Sequence, residues 1–154
     1  MSTLNKSDWK KLINKNTDEA EFAEPAEIED IEAAEDALGI EFPAELRAML
    51  LEFNGLAANY GVPVVWSAEE IASQNLAFRN NEDFKELYKP FNHLLFFGHD
   101  GGGDQFAYGI GADGRVDQKE IFRWGHEEDT RDLYAKGLRN YFENLFEEFS
   151  EEEE

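Results

Sequence analysis

The chain is 154 residues long, a common length for one domain, and 42% of it is apolar, enough for a real core. Lys and Arg number 14 against 35 Asp and Glu. The net charge of −21, with no local basic patch to offset it, argues against phosphate backbones and anionic membrane surfaces as partners. The absence of cysteine excludes disulfides, thiolate catalysis and Cys-ligated zinc. No apolar run approaches the roughly 20 residues that span a bilayer, and MSTLNKSDWKKL lacks the apolar stretch of a secretory signal. A soluble, cytoplasmic protein is expected. With 13 Phe, 5 Tyr and 3 Trp it is too aromatic to be disordered.

In chain order, Ser7 is placed to cap a short helix with Trp9, Leu12 and Ile13 on one face. Thr17 to Glu27 is acidic, carries Pro25 and reads as a loop. A second helix follows, with Ile28, Ile31, Ala34 and Leu38 on its apolar face and Gly39 as its stop. The third helix is the clearest: Pro43 in the first turn, then Leu46, Met49, Leu50 and Phe53 at helical spacing, ended by Asn54-Gly55. Val62 to Trp66 reads as a strand, with Pro63 pointing to an edge position. Ser67-Ala-Glu-Glu70 matches a capping box, and the helix it opens carries Ile71 and Phe78. Asn80 to Pro90 is polar, a loop or a broken helix.

The second half turns to sheet. Leu94 to Phe97 is a continuous apolar run, as in a buried strand. Phe106, Tyr108 and Ile110 alternate with Ala107 and Gly109, and Asp113-Gly114 fits a hairpin turn. Val116, Gln118, Glu120, Phe122 and Trp124 then share one face of a strand. A long final helix is expected, capped by Asp129 or Thr130 and lined by Leu133, Leu138, Tyr141, Leu145 and Phe149. Ser150 and four glutamates follow as a solvated tail. With no repeat and no linker, the pattern predicts one α+β domain: a mostly antiparallel central sheet flanked by helices.

Two segments stand out. Gly98-His-Asp-Gly-Gly-Gly-Asp-Gln-Phe106 lies between two predicted strands. His99, Asp100 and Asp104 have the chemistry of a hard-cation site, but a glycine occupies the middle ligand position of the calcium-loop pattern. Turn chemistry accounts for the same residues: the glycines permit positive φ, and the aspartates satisfy loop amides. Neither the Walker nor the Rossmann glycine pattern is present. The second segment is Trp124-Gly-His-Glu-Glu-Asp129. Its acids suit the positive end of a helix dipole. Alternatively, His126, Glu127 and Asp129 form a polar rim beside an exposed Trp124, as at an interface. No G-x-S-x-G elbow accompanies the three histidines. No catalytic, cofactor or metal residue is therefore assigned. The partner-binding candidates are His99, Asp100, Gly102, Gly103, Asp104, Trp124, His126, Glu127, Glu128 and Asp129.

The segment Ile31-x-x-x-Glu35-x-x-Leu38-Gly39-Ile40-x-Phe42-Pro43-x-x-Leu46-Arg47, with its helix ending in Asn54-Gly55, resembles the opening of the SUKH superfamily, whose best-known branch is the Smi/Knr family. The Trp66-Ser67 junction, the glycine-rich turn Gly98 to Asp104 entering a strand at Phe106, and a final amphipathic helix such as Leu133 to Phe149 resemble it too. The likeness covers roughly residues 25–148. It divides the chain into an N-terminal helix and acidic loop (1–24), a Smi/Knr-like domain (25–149) and an acidic tail (150–154). It implies an α+β protein-binding module, not an enzyme, and no cofactor. Many bacterial members are immunity proteins that bind and block a cognate toxin, often a nuclease; fungal relatives act in cell-wall regulation. The resemblance implies a toxin domain as partner, the net charge of −21 points to a basic one, and a monomer or weak homodimer is expected. A regulatory scaffold in envelope physiology is the second reading, and a metal-dependent hydrolase using Asp100 and Asp104 the third.

Overall fold

The computed structural model describes the backbone of residues 6–59 and 61–152 and the side chains of residues 9–59 and 61–151. Six helices and seven strands occur there, in two antiparallel sheets. The first half holds α1 (Lys6–Asn16), β1 (Glu21–Phe22), α2 (Ile28–Leu38), α3 (Ala44–Glu52), β2 (Leu56–Ala58), β3 (Val62–Val65), α4 (Ala68–Asn80) and α5 (Glu82–Leu87). The second half holds β4 (Leu94–His99), β5 (Gln105–Ile110), β6 (Val116–Gly125), β7 (Thr130–Lys136) and α6 (Leu138–Glu152). Strands β1-β2-β3 form the small sheet and β4-β5-β6-β7 the larger one. The expected α+β class holds.

The helical stripes read from the sequence are buried: Trp9 and Ile13 in α1, Ile31, Ala34 and Leu38 in α2, Leu46, Met49 and Leu50 in α3. Ser7 lies outside the described side chains. Ile28, the first residue of α2, is 50% exposed, because the stripe there runs past the end of the core. Gly39 takes φ +69 and closes α2 as expected. The end of α3 works differently from the expectation. Phe53 turns extended, with φ −153, and the Asn54 side chain serves the next helix. Its Oδ1 accepts from Ala68 N at 2.8 Å and its Nδ2 donates to Glu69 at 3.1 Å. The Ser67–Glu70 capping box forms as predicted, so α4 starts with its free amides satisfied. Asn81 ends α4 and caps α5, which gives the polar stretch after Asn80 its broken helix.

The largest departure is the final helix. Residues 130–136 form strand β7, paired antiparallel with β6, and α6 begins only at Leu138. Gly137, at φ +102, turns the chain between them. Leu133 therefore lies on a sheet face, 49% exposed, and not on a buried helical stripe. Neither Asp129 nor Thr130 caps a helix. At the far end α6 continues through Ser150 to Glu152, so the acidic run starts as helix. Strand β1, two residues long, lies within the segment read as a loop, and β2, three residues long, in the stretch after Asn54-Gly55 for which no element was expected.

Helix α6 covers one face of the larger sheet. Tyr141 anchors it: its ring packs on Phe97 and Phe106, and its hydroxyl donates to Val64 O at 2.6 Å. Across the sheet, α4 and α5 cover only the end of the opposite face, where Phe78, Tyr88, Phe91, Phe96 and Trp124 form an aromatic nest. The two sheets meet at β3 and β4, where Trp66 N donates to Phe97 O at 2.7 Å.

Asn75, 1% exposed, docks α4 on the edge of β4. Its amide accepts from Phe96 N at 2.9 Å and donates to Phe96 O at 2.8 Å and Ile71 O at 2.7 Å. Asn75→Ala leaves both Phe96 backbone groups buried without partners, an expected loss of about 2 kcal/mol in urea denaturation. A change within about 0.5 kcal/mol, as at an ordinary surface position, would refute that role.

Glu45 ties α3 to three other elements. Its Oε2 accepts from Tyr108 Oη at 2.7 Å and from Leu138 N, the first amide of α6, at 3.0 Å; Lys119 Nζ stands 3.8 Å from Oε1. Burial raises the Glu45 pKa above 4.5, outweighing the opposite pull of Tyr108, Lys119 and Leu138. The folded chain thus holds this proton more tightly than the unfolded one. Glu45's contribution is greatest below pH 4.5 and falls as pH rises through the folded value. Glu45→Gln removes this term. Its stability relative to the parent is expected to improve from pH 4.5 to pH 7, and a constant difference across that range would contradict the assignment.

Candidate interaction site

The fold brings the two conspicuous segments together. The glycine-rich segment forms the β4–β5 turn, and residues 126–129 form the β6–β7 turn at the same end of the sheet. Asp104 Oδ1 lies 3.0 Å from His126 Nδ1 and accepts weakly from His126 N at 3.4 Å. Gly103 takes φ +104, and a Cβ there would fall 2.6 Å from His126 Cε1. Glycine is thus needed both for the turn and for the approach of the ring. Asp100 Oδ1 accepts from Gly102 N at 2.8 Å, and His99 Nδ1 accepts from Gly101 N at 3.0 Å. The Asp100 contact is the kind turn chemistry predicts, the His99 contact was not expected, and Asp104 serves His126 and not an amide of its own turn. Burial lowers the His99 pKa, against smaller opposing effects from Asp100 and Glu70.

Beneath the turns sits a group that sequence reasoning missed. Arg123 of β6 donates through Nη2 to Asp100 at 2.7 Å and through Nη1 to Glu148 of α6 at 3.1 Å; its Nε is 3.5 Å from Asp104. Its guanidinium lies over the Phe106 and Tyr134 rings, at 5.4 and 5.3 Å. Tyr134 Oη donates to Glu148 at 2.5 Å. Burial alone would lower the Arg123 pKa, but Asp100 and Glu148 outweigh it and hold the group firmly charged. Burial, reinforced by Glu148, pushes the Tyr134 hydroxyl well above its ordinary value. The available signal was strand phase. Arg123 falls between Phe122 and Trp124, so it faces the α6 side of the sheet, where a cation needs partners.

The polar-rim reading of the second segment needs correction. Trp124 is 3% exposed, enclosed by the aromatic nest, and is not a surface anchor. Its indole N–H donates to Asp129 at 2.7 Å. Asp129 also accepts from Arg131 at 2.8 Å and from Lys89 N at 2.9 Å. Burial would raise the Asp129 pKa, but these three donors outweigh it and keep it below the usual carboxylate value. Asp129, at φ +57, therefore locks the hairpin to the loop before β4. Tyr88 strengthens that lock by donating to His126 O at 2.8 Å. Glu127 and Glu128 remain exposed at the tip.

Asp100 and Asp104 both face Arg123, which competes with any cation for their oxygens. Among the described residues no group of three or more His, Asp and Glu is placed to hold a metal. No helix among them is long and apolar enough to cross a membrane.

These features define a small α+β domain whose charged residues brace a shaped surface. The SUKH_6 family model, described as SMI1-KNR4 cell-wall, matches residues 28–142, from the start of α2 into α6. The chain belongs to the SUKH family. Membership is consistent with a non-enzymatic, protein-binding module. No curated protein matches the chain.

Proposed function

We propose that the protein is a cytoplasmic immunity-type module that neutralises a basic toxin domain, such as a nuclease, by direct binding. Family membership carries this reading, and the net charge of −21 supports it. Nucleases must hold phosphate and tend to be basic, so an acidic binder is steered toward them. Residues 99–104 and 126–128 offer one surface, with Glu127 and Glu128 free to meet a cation. Asp100, Asp104, Trp124 and Asp129 support it from within. The test is affinity capture from a lysate of the source organism at low and raised salt, with mass spectrometry of the bound proteins. A stoichiometric basic partner that loosens with salt is expected, and charge reversal at Glu127 and Glu128 should weaken it. The family's description, SMI1-KNR4 cell-wall, favours a second reading, a regulatory scaffold in envelope physiology. Envelope proteins that survive the salt wash would select it.

A further inference from the structure

We propose that the bare half of the larger sheet's outer face, centred on Phe122 and Leu133, docks a cationic protein through an apolar side chain flanked by lysine or arginine. This rests on the basic-partner reading above and gives that partner a second surface, separate from residues 99–104 and 126–128. Phe122 and Leu133 are direct cross-strand partners on β6 and β7, so their side chains share a face. The same face carries Trp124 and Arg131, the next pair in the same phase. There α4 and α5 cover the sheet, and the Arg131 guanidinium lies over Phe91 at 5.1 Å. The cover stops before the next pair: Phe122 is half-buried and Leu133 is 49% exposed. Among the described residues four large hydrophobics are this exposed or nearly so, and Leu133 alone of them lies on a strand.

The patch is shaped as well as apolar. Phe122 lies against the bare backbone of Gly109, where a Cβ would sit 3.2 Å from the ring. The ring is thus held down beside a concavity of about 590 Å³, walled by Leu94, Ile110 and Val116. A buried apolar anchor within a polar rim is the usual anatomy of an interface. Here the rim is acidic. Asp117 and Glu120 are exposed at its edge, and no ion pair within 4.0 Å engages either of them among the described residues. Two nearby cations are engaged elsewhere: Arg115 stands 3.9 Å from Asp113, and Arg131 is held by Asp129. Charge selects the occupant. A second copy would bring another −21 to the interface, whereas a cationic partner would meet Asp117 and Glu120, neither of which is in an ion pair among the described residues.

The test is NMR titration of the full ¹⁵N-labelled chain with three synthetic peptides: KRFLRK, its acidic counterpart EDFLDE and the anchorless KRSGRK. KRFLRK is expected to shift the amides of Gly109, Phe122 and Leu133, binding about tenfold tighter than either control. Leu133→Asp, at an exposed position, should abolish that preference, and Glu120→Lys should weaken it. Equal binding by KRSGRK would leave charge without an anchor and overturn the proposal. Shifts confined to another surface would overturn the proposed face while the basic-partner reading stands. No preference for cationic over acidic peptides anywhere would remove the basic partner and this inference with it. A concentration-dependent dimer in sedimentation, lost in Leu133→Asp, would assign the face to a second copy instead.

Discussion

Arg123→Met is expected to cost about 3 kcal/mol of folding stability. The guanidinium is 29% exposed and stands among the carboxylates of Asp100, Asp104 and Glu148, at 2.7, 3.5 and 3.1 Å. One cation neutralises parts of the β4–β5 turn and α6, and it fills the space between two aromatic rings. Methionine keeps much of the volume but leaves three acids facing one another in a partly desolvated site. Arg123→Lys keeps the charge on a compact head that cannot match the fork geometry, so its loss should be intermediate. Urea denaturation of the three proteins gives the comparison. If Arg123→Met loses no more than the roughly 1 kcal/mol of an exposed pair, water screens the cluster and it does not brace the turns.

Gly98→Ala is the second large effect, with an expected loss of about 3 kcal/mol. A Cβ at Gly98 would overlap the Val64 carbonyl oxygen, and Val65 N would lie 3.2 Å away. Both neighbours are backbone of β3, so neither can turn aside as a side chain does. The added methyl must push β3 from β4, and with it the Trp66–Phe97 hydrogen bond that joins the two sheets. Gly102→Ala is the control. It meets only the Asp100 side chain, at 3.5 Å, and needs no positive φ. It should stay within about 0.5 kcal/mol of the parent. Hydrogen exchange at the Trp66 amide locates the damage. If Gly98→Ala leaves that amide as protected as in the parent, the strands do not meet as described.

Whatever local chemistry fixes was legible in the sequence. Leu46, Met49 and Leu50 repeat at helical spacing and are buried, and Ser67 and Glu70 cap α4 as their spacing demands. The apolar run at Leu94 and the Asp113-Gly114 turn formed where expected. Strand β7 was not legible because Leu133 joins Leu138, Tyr141 and Leu145 in a passable helical stripe. Only Gly137 marks the break, and a lone glycine within a helical pattern is an ambiguous signal. In β6 the expected alternation holds from Val116 to Trp124, and its members from Val116 to Phe122 line one concavity. A bulge opposite Ile121 and Phe122 then shifts the pairing with β7. The juxtaposition of the two turns was half visible: both segments drew notice, but nothing local showed that Arg123 and Glu148 would join them. That link crosses 25 residues and depends on how α6 lies over the sheet. Trp124 was misread because its polar neighbours mark a hairpin tip, while its own phase points into the nest.

The amide of Asn75 occupies both backbone groups of Phe96 at the outer side of β4. At the other end of the same sheet, Asn140 accepts from Lys136 N at 3.0 Å, and Asn144 donates to Tyr134 O at 3.0 Å. Asparagines reaching down from helices thus take some of the backbone groups on each outer side of the four-stranded ladder. An open strand edge is a template on which another chain can polymerise. Here amides occupy part of each such edge through directional bonds that salt does not screen.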